Sequence, residues 1–157
     1  SYLEKTGMAV SKAEIERRMK RFAETCRTGG LKTTHQRMEV FRELAGAETH
    51  PDAETIYRHV RRRVPAISRD TVYRTLATLE EQGLVHKAEI VSGRGRYDAN
   101  MEHHHHFICT ACGRVHDFYS PTLDDLPIPK SVSALGRVES TQVQLRGLCT
   151  NCAKDKR

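Results

Sequence analysis

Ser68-Arg-Asp-Thr-Val-Tyr-Arg-Thr-Leu-Ala-Thr-Leu-Glu-Glu-Gln-Gly-Leu84 carries the signals of an amphipathic helix with a marked beginning and end. Ser68 is a favourable N-cap, and Ile67 before it can pack onto Val72 across the first turn. Gly83 is placed for a left-handed C-cap, with Leu84 folding back on the helix. The inward stripe has helical spacing. Its residues are Val72, Leu76 and Leu79.

The outward face of this helix holds small, hydroxyl-bearing or cationic side chains, which can enter a major groove without steric conflict. They are Arg69, Thr71, Tyr73, Arg74 and Thr78. Two strand-like segments follow, 84–91 and 96–98, around the tip Ser92-Gly93-Arg94-Gly95, which indicates a β-hairpin.

Three further helices are expected before this one. The first starts at the capping box Ser11-x-x-Glu14 and ends at Gly29-Gly30, with Cys26 on its apolar stripe as a buried thiol. The second runs from about Thr34 to Ala45. The third follows His50-Pro51 and ends in Arg61-Arg62-Arg63, which either complement the helix dipole or contact phosphates.

Helices followed by a basic hairpin predict a winged helix, a variant of the helix-turn-helix. The alternative is a helix-rich domain whose hairpin only covers its core. The outward face of the fourth helix favours DNA, with Tyr73 and Arg74 reading bases and Arg94 holding phosphates. The predicted DNA-binding residues are Arg69, Thr71, Tyr73, Arg74 and Arg94.

Beyond about Asn100 the pattern changes to short strands, expected at 104–110, 114–119 and 137–148. The predicted fold class is therefore α+β, with a winged-helix domain at 11–99 and a small α/β domain at 100–157. Residues 1–10 are interpreted as a tail or cloning remnant. Because the second domain is small, we expect it to pair with a second copy of the chain.

Four cysteines in the second domain form the pairs Cys109-x-x-Cys112 and Cys149-x-x-Cys152. Four thiolates are the ligand set of a closed, structural zinc site. Such a site leaves no position open for a substrate. It would tie the end of the chain to the first hairpin of this domain, 36 residues away.

The run His103-His-His-His106 lies between Asp98 and Asp117. In a strand His104 and His106 face one side, and His103 and His105 the other. The first pair could build a nitrogen–oxygen metal site with the two aspartates. Such a set suits Fe²⁺ or Mn²⁺, although ligand type alone does not exclude Zn²⁺.

The chain has 157 residues and a formal charge of +6, with 17 Lys and Arg against 13 Asp and Glu in the first 90 residues. This balance suits a polyanionic partner without requiring one. No apolar run is long enough to span a membrane and no secretory signal is recognised, so a cytoplasmic protein is expected.

From about Ser11 to Cys152 the chain resembles the ferric uptake regulator family of bacterial metal-dependent repressors. The motifs that carry the resemblance are Thr34-His35-Gln36-Arg37, Ser68-x-x-Thr71-Val72-Tyr73-Arg74-Thr75-Leu76, Arg96-Tyr97-Asp98, His104-x-His106-x-x-Cys109-x-x-Cys112-Gly113-x-Val115-x-Asp117 and Cys149-x-x-Cys152.

The resemblance implies a homodimer on a double-stranded, palindromic operator, a structural Zn²⁺ and a regulatory Fe²⁺ or Mn²⁺ between the domains. The implied regulatory ligands are His35, Asp98, His104, His106 and Asp117. Aspartate at both carboxylate positions is typical of the peroxide-sensing branch, which implies that iron-catalysed oxidation of His35 or His104 releases DNA. A second metal site of many relatives would use His103, His105 and Asp124, but Thr141 stands where its fourth ligand is expected.

Three other functions compete with this one. The first is a repressor of the same family that senses the level of iron, manganese or zinc without oxidation chemistry. The second is a metalloenzyme, since histidines and carboxylates also build catalytic sites. The third is a metal-buffering protein. Neither of the last two accounts for the basic winged helix, and the predicted protein is not an enzyme.

Overall fold

The computed structural model describes residues 10–47, 49–89 and 95–155. They form two compact units, and the division lies between residues 101 and 102. The N-terminal unit contains four helices and a hairpin. They are α1 (Lys12–Thr28), α2 (His35–Ala45), α3 (Ala53–Arg63), α4 (Arg69–Glu81), β1 (His86–Glu89) and β2 (Gly95–Asp98). The antiparallel strands β1 and β2 follow α4, which gives the order of a winged helix. The hairpin tip, including Arg94, lies outside the described residues.

Each helix of this unit begins at a side chain that accepts a hydrogen bond from a backbone N–H three residues later. The N-caps are Ser11, Thr34, Asp52 and Ser68. Each cap satisfies one of the N–H groups that have no partner within the helix. The sequence places α4 within a residue of its observed start because this signal is local.

One hydrophobic core fills the N-terminal unit. Phe22 of α1 stacks on Phe41 of α2 with 4.8 Å between ring centroids. Cys26 is 2% exposed in the same core, as expected for a packing thiol. Val72 and Leu76 are fully buried, so the apolar stripe of α4 faces inward and its polar stripe remains outside.

Gly83 ends α4 with φ +70°, and the Leu84 N–H donates to the Leu79 carbonyl over 2.9 Å. A Cβ at Gly83 would meet no atom within 4 Å, so the cost of a side chain there is conformational. We expect Gly83→Ala to lower the free energy of unfolding by about 1 kcal/mol, because L-residues rarely adopt this backbone conformation.

Chemical denaturation, monitored by the far-ultraviolet circular dichroism of the helices, measures this change in the free energy of unfolding. Gly46→Ala is the matched control, because Gly46 also ends a helix but has φ −95°. A change within about 0.5 kcal/mol is expected there. Equal losses in the two variants would contradict the conformational explanation.

The C-terminal unit is a three-stranded sheet with three short helices. Its elements are β3 (His105–Cys109), β4 (Val115–Phe118), α5 (Pro121–Asp124), α6 (Lys130–Ser133), β5 (Gln144–Gly147) and α7 (Thr150–Asp155). The strand order is β4-β3-β5, with β4 antiparallel and β5 parallel to β3. Few apolar side chains are buried in this unit, chiefly Ile108 and Val115.

The strand expected at 137–148 is wrong over its first half, because β5 covers only Gln144–Gly147. Its partner β3 begins at His105, and the last backbone hydrogen bond between the two segments joins the His106 N–H to the Val143 carbonyl over 3.0 Å. The Val143 N–H instead donates to the His105 side chain. In neither unit does the described chain contain a helix that is long and apolar enough to cross a membrane.

Candidate metal centres and nucleic-acid interface

The four cysteines of the C-terminal unit converge, with every pair of sulfurs within 4.8 Å. The Sγ atoms of Cys112 and Cys149 lie 3.9 Å apart. A tetrahedral Zn²⁺ with bonds of about 2.3 Å separates its sulfur ligands by about 3.8 Å. The cluster therefore has the ligand type, number and spacing of a structural zinc site.

Backbone N–H groups stabilise the thiolate form of Cys109, one of the four cysteines. The N–H groups of Cys112 and Cys149 donate to Cys109 Sγ over 3.5 and 3.4 Å, and these bonds lower the pKa of Cys109 to about 6. Hydrogen bonds with neighbouring sulfurs, first that of Cys149, raise the pKa of Cys152 to about 12. Four thiolates so close together require a bound cation to offset their mutual repulsion.

A second cluster in the same unit combines two imidazoles with a carboxylate. The Nε2 atoms of His104 and His106 lie 3.5 and 3.4 Å from the same oxygen, Oδ1 of Asp117. His104 Nδ1 contacts the Glu102 carbonyl at 2.5 Å, which turns Nε2 toward the carboxylate. Both rings are about 95% buried. These nitrogen–oxygen distances are longer than those of a strong hydrogen bond, and such spacing suits ligand atoms that bind the same ion.

The N-terminal unit has a pair of donors of its own: His50 Nδ1 lies 3.6 Å from Asp98 Oδ1. The loop that carries His50 is fastened to β2, where Asp98 lies. Arg96 donates to the His50 carbonyl over 2.9 Å, and the Tyr97 N–H donates to the Pro51 carbonyl over 3.0 Å. These bonds fix the imidazole beside the carboxylate.

His50 is the metal-ligand candidate that the sequence analysis did not select. His35 is exposed at the start of α2, and it belongs to none of the donor clusters found among the described residues. The assignment of His35 stays a prediction, while the geometry favours His50. The available signal was the position of His50 before Pro51, on a loop rather than in a helix.

The other two histidines of the run form a third cluster with Asp124. His105 Nε2 lies 2.8 Å and His103 Nδ1 3.2 Å from Asp124 Oδ1. Because His105 Nδ1 accepts the Val143 N–H, its proton is on Nε2 and is donated to Asp124. Thr141 offers its backbone carbonyl to His103 Nε2 over 2.6 Å. The three side chains also lie close enough together to ligate one ion, so a second metal site here stays a prediction.

The polar face of α4 is exposed, as the sequence predicts. Tyr73 is 49% exposed, and Arg74 Nε pairs with Asp70 over 3.0 Å. The Thr71 hydroxyl contacts the N-cap Ser68 at 2.9 Å. These side chains lie on one side of the helix, where they are available to a groove of DNA.

Arg69 is held more firmly than Arg74, the other cation of α4. Its guanidinium donates to both carboxylate oxygens of Glu54 over 3.1–3.4 Å and lies 4.6 Å from the centre of the Tyr57 ring. Hydrogen bonds from Arg69 lower the pKa of Glu54. This arrangement joins α3 to the start of α4.

The three arginines at the end of α3 have different roles. Arg63 donates to Glu39 over 2.7 Å and to Glu43 over 3.0 Å, so it joins α3 to α2. Arg61 and Arg62 are exposed and remain candidates for phosphate contacts. The role of Arg63 is thus an ion pair between two helices, which neither explanation included, and phosphate contact by Arg61 and Arg62 stays a prediction.

Comparisons with known proteins agree with these features. A model of the ferric uptake regulator family matches residues 28–145. The chain is similar to the peroxide-responsive repressor PerR of Staphylococcus epidermidis, with 28% identity over 149 residues, 94% of this chain and 99% of that protein. Among solved structures, the Helicobacter pylori ferric uptake regulator Fur is 26% identical with a TM-score of 0.70, covering 93% of this chain and 97% of that one. A zinc-bound manganese uptake regulator is 31% identical with a TM-score of 0.64, covering 81% and 97%.

Proposed function

Since the chain belongs to the ferric uptake regulator family, we propose that it is a metal-dependent transcriptional repressor that releases its operator DNA when peroxide oxidises a histidine ligand. The observation that carries the proposal is the division of the nitrogen and oxygen donors into two sets. His104, His106 and Asp117 belong to one unit, and His50 and Asp98 to the other.

Neither set of donors fills the coordination sphere of Fe²⁺ or Mn²⁺. Two histidines and one carboxylate can hold such an ion but leave positions open, so donors from the second set would bind it more tightly. We propose that one ion takes donors from both units, so that occupancy fixes their relative orientation. An ion can shift this equilibrium only because it binds the joined arrangement more tightly than the separate halves.

Peroxide sensing is supported by the donors themselves and by the relatives. Both carboxylate positions hold aspartate, and the repressor of Staphylococcus epidermidis is described as peroxide-responsive. Fe²⁺ held there would catalyse the reaction of hydrogen peroxide with a nearby imidazole, in which one peroxide oxygen would be inserted into a ring C–H bond and the other would leave as water. His104 and His50 are the candidates for oxidation, one from each unit. An oxidised imidazole donates poorly to a metal. Loss of either one separates the two units.

DNA binding is assigned to α4 and the hairpin, and dimerisation to the C-terminal unit. Large apolar side chains remain exposed on that unit, including Leu126, Ile128 and Val138 around a cavity of about 590 Å³. At the edge of the sheet, β5 carries Leu145, which is 46% exposed. Pairing of two copies would cover such surfaces and place two α4 helices on successive major grooves of a palindromic site.

The test compares protein loaded with Fe²⁺ and with Mn²⁺ on DNA enriched from a random library by the Mn²⁺ form. Both forms should bind, and micromolar hydrogen peroxide should release only the Fe²⁺ form. Mass spectrometry should find one added oxygen atom on the peptide of His50 or His104. Release of DNA by peroxide without any oxidised histidine would contradict the proposed chemistry.

A repressor that reports metal level alone is the second candidate, favoured by the 31% identity to a manganese uptake regulator. In that case chelation releases DNA from both metal forms, while low peroxide releases neither. The same binding assay therefore separates the two functions.

A further inference from the structure

Asp70 places a carboxylate on the exposed face of α4, beside Arg74. We propose that Asp70 determines part of the DNA sequence specificity, by accepting a hydrogen bond from the amino group of a cytosine or adenine next to the base pair that Arg74 reads. The inference rests on the proposed DNA-binding function and extends it to one residue and one class of base.

The pairing orients Arg74 for base recognition. Asp70 Oδ2 lies 3.0 Å from Arg74 Nε, and the Arg74 side chain is 81% exposed. This ion pair engages Nε and leaves the two terminal nitrogens of the guanidinium as a fork for a base edge. A fork of this kind matches the O6 and N7 acceptors of guanine in the major groove.

The same pairing leaves acceptor capacity on Asp70. A carboxylate has two oxygens and about four lone-pair sites, and the ion pair with Arg74 involves only one of the two oxygens. Its side chain is 70% exposed at the start of the helix. An ionised carboxylate cannot donate, and the only donors on base edges in the major groove are the amino groups of cytosine and adenine. Asp70 therefore selects for those bases and against guanine and thymine.

Glu54 shows how an acid on this surface behaves when its role is structural. Both of its oxygens are bound by Arg69, and that guanidinium is stacked on Tyr57. Asp70 is not enclosed in this way. A carboxylate so exposed on a surface that meets phosphates weakens binding to any DNA, and discrimination between bases would offset that loss.

The simpler explanation is that Asp70 only stabilises α4. An acid in the first turn complements the helix dipole, and an i,i+4 pair with arginine adds a small contribution. These effects would alter thermal stability without altering the preferred DNA sequence. Sequence preference therefore separates the two explanations.

The experiment selects bound sequences from a random double-stranded library with the full-length, Mn²⁺-loaded protein. Asp70→Ala should lose its preference at one base pair in each half-site, where the wild type discriminates roughly 5- to 150-fold. Affinity for unselected DNA should rise a few-fold. Asp70→Asn keeps the side-chain size, and it should relax the same position because its amide can also donate.

Glu81→Ala is the matched control, since it removes one exposed carboxylate from the opposite end of α4. The Glu81 variant should enrich the same DNA sequence as the wild-type protein. Unchanged preferences in both Asp70 variants would overturn the inference while leaving the repressor function intact. If the wild type enriches no sequence, the proposed function itself fails, which is a different result.

Discussion

Replacing Cys112 with serine should abolish zinc binding and unfold the C-terminal unit. Structural zinc contributes about 10–16 kcal/mol of apparent binding free energy near neutral pH. A domain of this size is stable by about 5–15 kcal/mol in total. Because so few apolar side chains are buried in this unit, packing cannot replace the metal. Elemental analysis and two-dimensional NMR of the purified variant measure the loss.

Cys26→Ser is the control for this experiment. Cys26 is a buried thiol of the N-terminal core and lies outside the four-cysteine cluster. Its replacement should weaken the N-terminal unit and leave one zinc per chain. Retention of zinc in the Cys112 variant would contradict Cys112 as an essential ligand, and native chemical shifts after loss of zinc would rule out a structural role for the metal.

The second large effect concerns His50. His50→Ala should lower the affinity for Mn²⁺ by roughly 100-fold or more, since even residues that only support metal ligands contribute 10- to 100-fold. Metal-dependent DNA binding should be lost with it. Calorimetric titration with Mn²⁺ and fluorescence anisotropy of labelled DNA measure the two quantities separately.

His35→Ala is the matched comparison, because it removes an imidazole from the same unit at an exposed position. It should bind Mn²⁺ and DNA like the wild type. The opposite pattern, with His35 required and His50 dispensable, would restore the assignment made from the sequence. The pair of variants therefore decides which imidazole of the N-terminal unit is the ligand.

His35 and His50 show which features of a metal site local sequence predicts and which it does not. His35 lies in a motif shared with the family, and its neighbours in sequence form a well-capped helix. His50 precedes a proline in a loop and has no local pattern of its own. Its relation to Asp98 depends on hydrogen bonds from Arg96 and Tyr97, almost fifty residues away in the chain.

The exposed face of α4 shows a similar division. Helical spacing identifies which side chains face outward, and the structure has Tyr73 and Arg74 exposed as expected. Spacing also brings Asp70 one turn from Arg74, but the sequence analysis did not include it among the DNA contacts. The pairing of Arg69 with Glu54 joins two helices, so it could not be obtained from α4 alone.

The sequence by itself determined the features that depend on near neighbours: the caps and apolar stripes of the helices, the cysteine spacing, and the two opposite faces of the histidine run. Each follows from the period of a helix or strand, which a few adjacent residues specify. The tertiary structure alone decided where β5 begins, which acids hold Arg63 and Arg69, and which imidazole lies beside Asp98. Those outcomes depend on hydrogen bonds between segments far apart in the chain, and only the packed fold brings such segments together.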